Sequence, residues 1–133
     1  MAGADDLSRM LSGLTVARRE GTYVYLSAPA GSVSDAAATI AETEGTTFVL
    51  ERAAADRAGL DWSFAAAWLT VELPTPLDGI GVTAALAGAL AHAGIPCNVL
   101  AGFHHDHLLV PVERAGDAIS VLQGLRAPLQ GDR

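Results

Sequence analysis

AWLTVELPTPLDGIGVTAALAGALAHAGIPCNVLAGFHHDHLLVP, residues 67–111, decides how this chain folds. An apolar run over 65–73 leads into a Pro/Gly turn over 74–81, and an almost wholly apolar helical segment follows over 82–93. Two further apolar runs, 96–101 and 108–112, flank a polar tip made of His104, His105, Asp106 and His107. The order reads strand, turn, helix, strand, hairpin, strand. The turn carries the chemistry. Gly79 and Gly81 leave their backbone amides uncovered, and the first-turn amides of a helix have no partner inside it. A carboxylate or phosphate is the natural partner for such amides, so a small-molecule site is the first functional expectation.

Outward from this stretch, the apolar helix carries Val82, Leu86 and Leu90 on one stripe and the small residues Ala84, Gly88 and Ala91 on another. Such a helix is expected to be covered on more than one side, by a second helix or another protomer. Downstream, Ala115, Ala118, Ile119, Leu122 and Leu125 recur at helical spacing, which predicts an amphipathic helix over 114–125 and a short polar tail from Arg126. Upstream, residues 1–10 are small and polar without sustained periodicity and read as a loose start. Residues 14–18 and 22–27 read as two strands joined by a hairpin turn at Glu20-Gly21. Ser32 followed by Asp35 resembles a capping box, which predicts an alanine-rich helix over 34–42 with Gly45 as its C-terminal glycine. A short strand over 46–51, a short helix over 53–58 ended by Gly59, and the central strand over 63–73 follow. The phrase Glu44-Gly45-Thr46-Thr47-Phe48-Val49-Leu50 echoes Gly94-Ile95-Pro96-Cys97-Asn98-Val99-Leu100, and this period of about fifty residues points to two related α/β units.

Half of the 133 residues are hydrophobic, which excludes a disordered chain and leaves room for one domain or two small interlocked ones. The formal charge is −7, and all eight basic residues are arginine. That balance argues against a nucleic-acid or anionic-membrane partner. Cys97, the single cysteine, sits in an apolar strand and has no intrachain partner, so a reducing, cytoplasmic location is expected. No leader opens the chain, and its longest apolar helix is too short to span a bilayer. Trp62, Phe64 and Trp68 read as packing residues rather than as stacking platforms for a sugar or base, because no basic residue stands between 60 and 90.

Three chemistries compete at the candidate residues. Gly79-Ile80-Gly81-Val82-Thr83-Ala84 matches the dinucleotide pattern G-x-G-x-x-A, but Pro74-Thr75-Pro76 separates it from its strand and the next strand ends without an acidic residue. The four residues 104–107 are ligand-competent for a metal. Strand alternation, however, lets only His105 with His107, or His104 with Asp106, share a face. Asp106 beside a histidine could also form an acid/base pair, yet no nucleophile elbow accompanies it.

The phrases A-W-L-T-V and L-D-G-I-G-V-T-A-A-L-A, continuing through A-G-I-P-C-N-V-L-A-G-F-H-H-D-H-L-L-V-P, resemble a family of small bacterial proteins with tandem ACT-domain units. L-S-G-L-T-V, E-G-T-Y-V-Y and E-G-T-T-F-V-L-E fit the same family. Similar units occur in the regulatory end of aspartate kinases and in the cytosolic arginine sensor upstream of TOR signalling. The resemblance implies an α+β, ferredoxin-like βαββαβ fold. It further implies two ACT-like units packed side by side through their sheets, a distorted N-terminal one over 11–61 and a C-terminal one over 62–126. It also implies an amino-acid ligand at the turn from first strand to first helix, which in this chain is Leu77, Asp78, Gly79, Ile80, Gly81, Val82 and Thr83, with Asn98 and Asp106 as facing side chains. Many ACT domains have proline where Asp78 stands, and Asp78 also reads as the helix N-cap. Glycine amides suit an α-carboxylate, and acidic or amide side chains suit an α-ammonium.

These readings converge on a non-catalytic, cytoplasmic regulatory or sensor module, a homodimer that binds a small molecule, needs no cofactor and passes its output to an unknown effector protein. Two alternatives stand beside it. One is a metal-dependent enzyme built on the tip at His104–His107, the other a purely structural oligomerisation module.

Overall fold

The structure, a computed structural model, describes residues 2–73 and 80–126, with side chains from Leu7 onward. It is a mixed α/β chain of four helices and six strands among those residues. The elements run α1 (Ala2–Ser12), β1 (Thr15–Ala28), β2 (Ala38–Glu42), β3 (Gly45–Glu51), α2 (Arg52–Arg57), β4 (Ser63–Glu72), α3 (Val82–His92), β5 (Asn98–Ala101), β6 (Asp106–Pro111) and α4 (Ala115–Gly124). Two compact units divide the chain: a central unit, Glu20–Ala67, and a terminal unit made of Met1–Arg19 with Trp68–Arg133. β1 passes from the terminal to the central unit at Arg19, and β4 passes back at Trp68.

In the central unit the strands follow the order β2-β3-β1-β4. β1 and β3 are antiparallel, with Leu26 opposite Phe48 and Val24 opposite Leu50. Directly opposed residues share a sheet face, and these four side chains form one buried cluster with Ala55 of α2. α2 ends at Gly59, whose φ of +69° is readily reached only without a side chain. Packed against this core, Trp62 donates from Nε1 to Asp56 Oδ1 at 2.8 Å, which ties the strand entry back onto α2.

Three sequence expectations are corrected here. The start of the chain is a helix, because Leu7, Leu11 and Leu14 fall four and three residues apart and Leu11 and Leu14 are buried. The expected hairpin at Glu20-Gly21 does not form, and β1 runs through as one strand of 14 residues. Gly21 takes a φ of +100° without reversing the chain, since β1 from Tyr23 onward is held by its ladder with β3. The expected helix over 34–42 is absent as well. Asp35 adopts a left-handed φ of +64°, which ends any helix at its first turn. The β-branched Thr39 and Ile40 instead pair with Phe48 and Thr47. Gly45 therefore opens β3, opposite Glu42 across a two-residue loop, rather than closing a helix.

In the terminal unit the order is β1-β4-β6-β5, with β5 and β6 an antiparallel hairpin. Leu69 and Val71 of β4 and Leu108 and Val110 of β6 are buried. Val82, Leu86 and Leu90 of α3 and Ala115, Ala118 and Leu122 of α4 are buried as well, as their spacing predicts. α3 packs on α4, and α4 on β6. Each leucine of this core contributes about 1.5–3 kcal/mol by leaving water. The small-residue stripe of α3, Ala84, Gly88 and Ala91, is exposed.

Candidate functional site

The entry to α3 is set by Gly81. It is the N-cap residue, with φ +93° and ψ −13°, a left-handed conformation that side chains resist. Its carbonyl accepts the first helical bond, from the Ala85 amide at 2.9 Å. Gly81 has no side chain with which to cap the helix, and the amides of Val82, Thr83 and Ala84 have no acceptor within it. Val82 turns its side chain into the core at 2% exposure and presents only backbone to the turn. Thr83 is exposed, and Ile80 is 90% exposed. Asp78 and Gly79, like Leu77, lie outside the described residues.

The facing residues sit on the β5–β6 hairpin and do not converge. Asp106 lies opposite Ala101 at the tip end, whereas Asn98 lies opposite Leu109 at the other end. Three strand residues separate these ends, about 10 Å. Asp106 shares its face of β6 with the buried Leu108 and Val110, and Asn98 belongs to the opposite face with Leu109 and His107.

The histidine tip is not a cluster of like roles. His104 stacks edge-on against Phe103, with ring centroids 5.0 Å apart, and Phe103 is exposed. His105 lies 3.9 Å from Glu72 at the end of β4, and its Nδ1 is buried without a hydrogen-bond partner among the described residues. His107 points to β4, where Trp68 Nε1 and Thr70 Oγ1 both lie 3.1 Å from its Nδ1. An indole N–H only donates, so His107 Nδ1 is the acceptor and the ring carries its proton on Nε2. The Arg19 guanidinium lies over the Trp68 ring, 4.6 Å from its centroid. Burial pushes the His107 pKa below the usual histidine value, His105 and Arg19 add to that, and Asp106 opposes it. Gly102 lets the imidazole approach, because a Cβ there would stand 3.0 Å from His107 Nε2.

This arrangement holds His107 neutral and oriented, a structural role that accounts for its conformation without a metal. No three potential ligands gather anywhere among the described residues. β5 and β6 form an antiparallel hairpin in place of the parallel sheet that a dinucleotide fold needs. The Trp68–Thr70–His107 contact escaped the sequence reading. Its one available signal was the period-two placement of Trp68, Thr70 and Glu72 on an otherwise apolar strand. Cys97 is a free, half-buried thiol whose pKa is raised by burial, which favours its unreactive form. Among the described residues, no helix is long and apolar enough to cross a membrane.

Comparison with known proteins adds a lineage to this geometry. A family model described as an ACT domain matches residues 2–67, and a second, also described as an ACT domain, matches residues 65–124. The fold is similar to the crystal structure of a protein of unknown function from Vibrio cholerae, described as a possible transport protein. The two are 35% identical with a TM-score of 0.84, and the match covers 93% of this chain and 98% of that one. A protein from Agrobacterium tumefaciens shares the fold at a TM-score of 0.65 and 19% identity, over 85% of this chain and 89% of its own. No curated protein matches the sequence.

Proposed function

The chain belongs to the family of tandem ACT-domain proteins, whose domains are small-molecule-binding regulatory modules, and from that premise we propose that it is a non-catalytic amino-acid sensor acting as a homodimer. Along the sequence its ACT-like units are 11–61 and 62–126, each on the ferredoxin-like plan. Strand order supports that plan: β1 and β3 are the inner strands of the central unit, and β4 and β6 those of the terminal unit. In a βαββαβ sheet the first and third strands are the inner ones.

The ligand site is the turn Asp78, Gly79, Ile80, Gly81, Val82 and Thr83. The observation that carries this reading is the left-handed Gly81 at the start of α3, which brings no capping side chain of its own. Open amides at a helix N-terminus attract an α-carboxylate, and the bare glycine lets it approach. Asp106, at the tip end of β6, supplies the anion for the α-ammonium. Asn98 is at the other end of the hairpin, so it reaches a ligand only across a homodimer interface. Occupancy is read out by a separate effector protein.

Calorimetric titration with the standard amino acids tests the proposal. One amino acid, or a related few, binds the wild-type protein. Gly81→Val abolishes binding while circular dichroism shows the fold intact. Asp106→Ala weakens binding roughly tenfold, the loss expected for one charge-assisted hydrogen bond. Binding that persists through both changes would refute the turn as the site.

A further inference from the structure

We propose that the seam between β4 and β6 is a proton-operated latch: neutral His107 holds the Trp68 indole, and a proton on His107 Nδ1 lets it go. The device is independent of the turn before α3 and needs no ligand. Its parts all lie in the terminal unit.

The latch rests on an asymmetry between two groups that share one nitrogen. Trp68 and Thr70 stand two residues apart and so share a face of β4, and Trp68 Nε1 and Thr70 Oγ1 each lie 3.1 Å from His107 Nδ1. An indole N–H only donates, whereas a hydroxyl donates or accepts. Once Nδ1 carries a proton it becomes a donor. Thr70 answers by turning a lone pair to the imidazolium. Trp68 has no such answer, and two N–H groups are left facing each other. The imidazole has little room to withdraw, because a Cβ on Gly102 would stand 3.0 Å from its Nε2 and 3.2 Å from its Cδ2. The indole is therefore the part that moves. When latched it is 3% exposed and edge-on to His107, with ring centroids 5.4 Å apart.

The charges around His107 set when the latch opens. Arg19 of β1 stands over the Trp68 ring at 4.6 Å. Together with His105 it disfavours an imidazolium at 107, while Asp106 favours one. Glu72, at the end of β4, lies 3.9 Å from His105. On the β5 side the residue opposite His107 is the uncharged Leu100. Burial is the largest influence and carries the His107 titration below the ordinary histidine value. The latch is thus closed at neutral pH and opens in mildly acidic solution. Charge on His107 also drives the release directly. The face of an aromatic ring is negative and its edge positive, so Arg19 over the face is attracted, whereas an imidazolium at the N–H edge is repelled.

The test follows the two indole N–H signals of the wild-type protein in proton–nitrogen spectra from pH 8 to pH 5, with Trp62 of the central unit as internal control. Imidazole signals from the same samples give the His107 titration. The Trp68 indole signal moves with a one-proton midpoint equal to that of His107 and below about 6.5. Its protection from solvent exchange falls roughly tenfold or more across that step, and neither Trp62 nor the amides of α4 follow. His107→Gln supplies an acceptor that does not titrate, and it holds Trp68 throughout the range. Arg19→Gln, at an exposed position, raises the midpoint by removing a cation, and Thr70→Val lowers it by removing the acceptor of the imidazolium. A Trp68 signal that stays put while His107 titrates would overturn the latch. So would a transition that persists unchanged in His107→Gln, or one in which the α4 amides unfold together with Trp68.

Discussion

Replacing each of two glycines in or beside α3 with alanine produces opposite effects, and the contrast tests the backbone on which the proposed turn site rests. Gly81 has φ +93°, and among the described residues an added Cβ would meet only the Leu7 side chain, at 3.5 and 3.9 Å, which is ordinary contact. Sterics therefore contribute nothing, and the cost of Gly81→Ala is the left-handed backbone, about 1–2 kcal/mol. Gly88 lies inside the same helix, and its added Cβ would meet nothing within 4 Å. Gly88→Ala restricts the unfolded chain at no native cost and gains about 0.5–1 kcal/mol. For a chain of this size 1 kcal/mol moves the midpoint by about 3–6 °C. Gly81→Ala then melts roughly 3–12 °C lower than wild type, and Gly88→Ala roughly 2–6 °C higher. Calorimetric unfolding of the three proteins in one buffer measures both. A neutral or stabilising Gly81→Ala would mean that the N-cap is not left-handed, and the open-amide argument would fall with it.

Three further predictions follow from the terminal unit. Leu86→Ala empties a fully buried position and costs about 2–5 kcal/mol in urea unfolding; a loss below 1 kcal/mol contradicts the packing of α3. In nitrogen-15 spectra at pH 7.5, His107 holds the Nε2–H tautomer and Trp68→Phe raises the Nδ1–H fraction, whereas an Nδ1–H ring in the wild-type protein would reject the Trp68–His107 bond. Because the folded state depresses the His107 pKa, the unfolded chain binds the proton first as pH falls. Stability is accordingly full above the ordinary histidine pKa of about 6.5 and declines as pH drops from there toward the lower folded value. His107→Gln flattens that part of the urea-midpoint profile, and an unchanged slope would assign the pH dependence to other groups.

The sequence announced elements whose signal is local. α3 carried an uninterrupted apolar stripe, α4 a regular amphipathic one, and the polar tip between two apolar runs marked the β5–β6 hairpin. Misreadings arose where tertiary pairing overrode local preference. Glu20-Gly21 looked like a turn but lies within a strand held by β3, and the alanine-rich 34–42 looked helical, but its residues 38–42 pair with β3 as an edge strand. α1 was hidden because its two leucines, Leu7 and Leu11, sit among small polar residues. Gly81 was legible as a candidate site residue because glycine before an apolar helix has few other uses. The meeting of Trp68 and Thr70 with His107 was not, since 39 and 37 residues separate those partners.

The central claim is that the turn before α3 binds an amino acid, and thermal unfolding of wild-type and Gly81→Val proteins across the standard amino acids tests it most directly. A ligand confined to the native state, at a hundredfold excess over its Kd, adds about 2.7 kcal/mol, roughly 8–16 °C for a chain of this size. The account predicts such a rise for one amino acid or a related few in the wild-type protein, and its loss in Gly81→Val. A midpoint that no amino acid moves, or one that moves equally in both proteins, would contradict it.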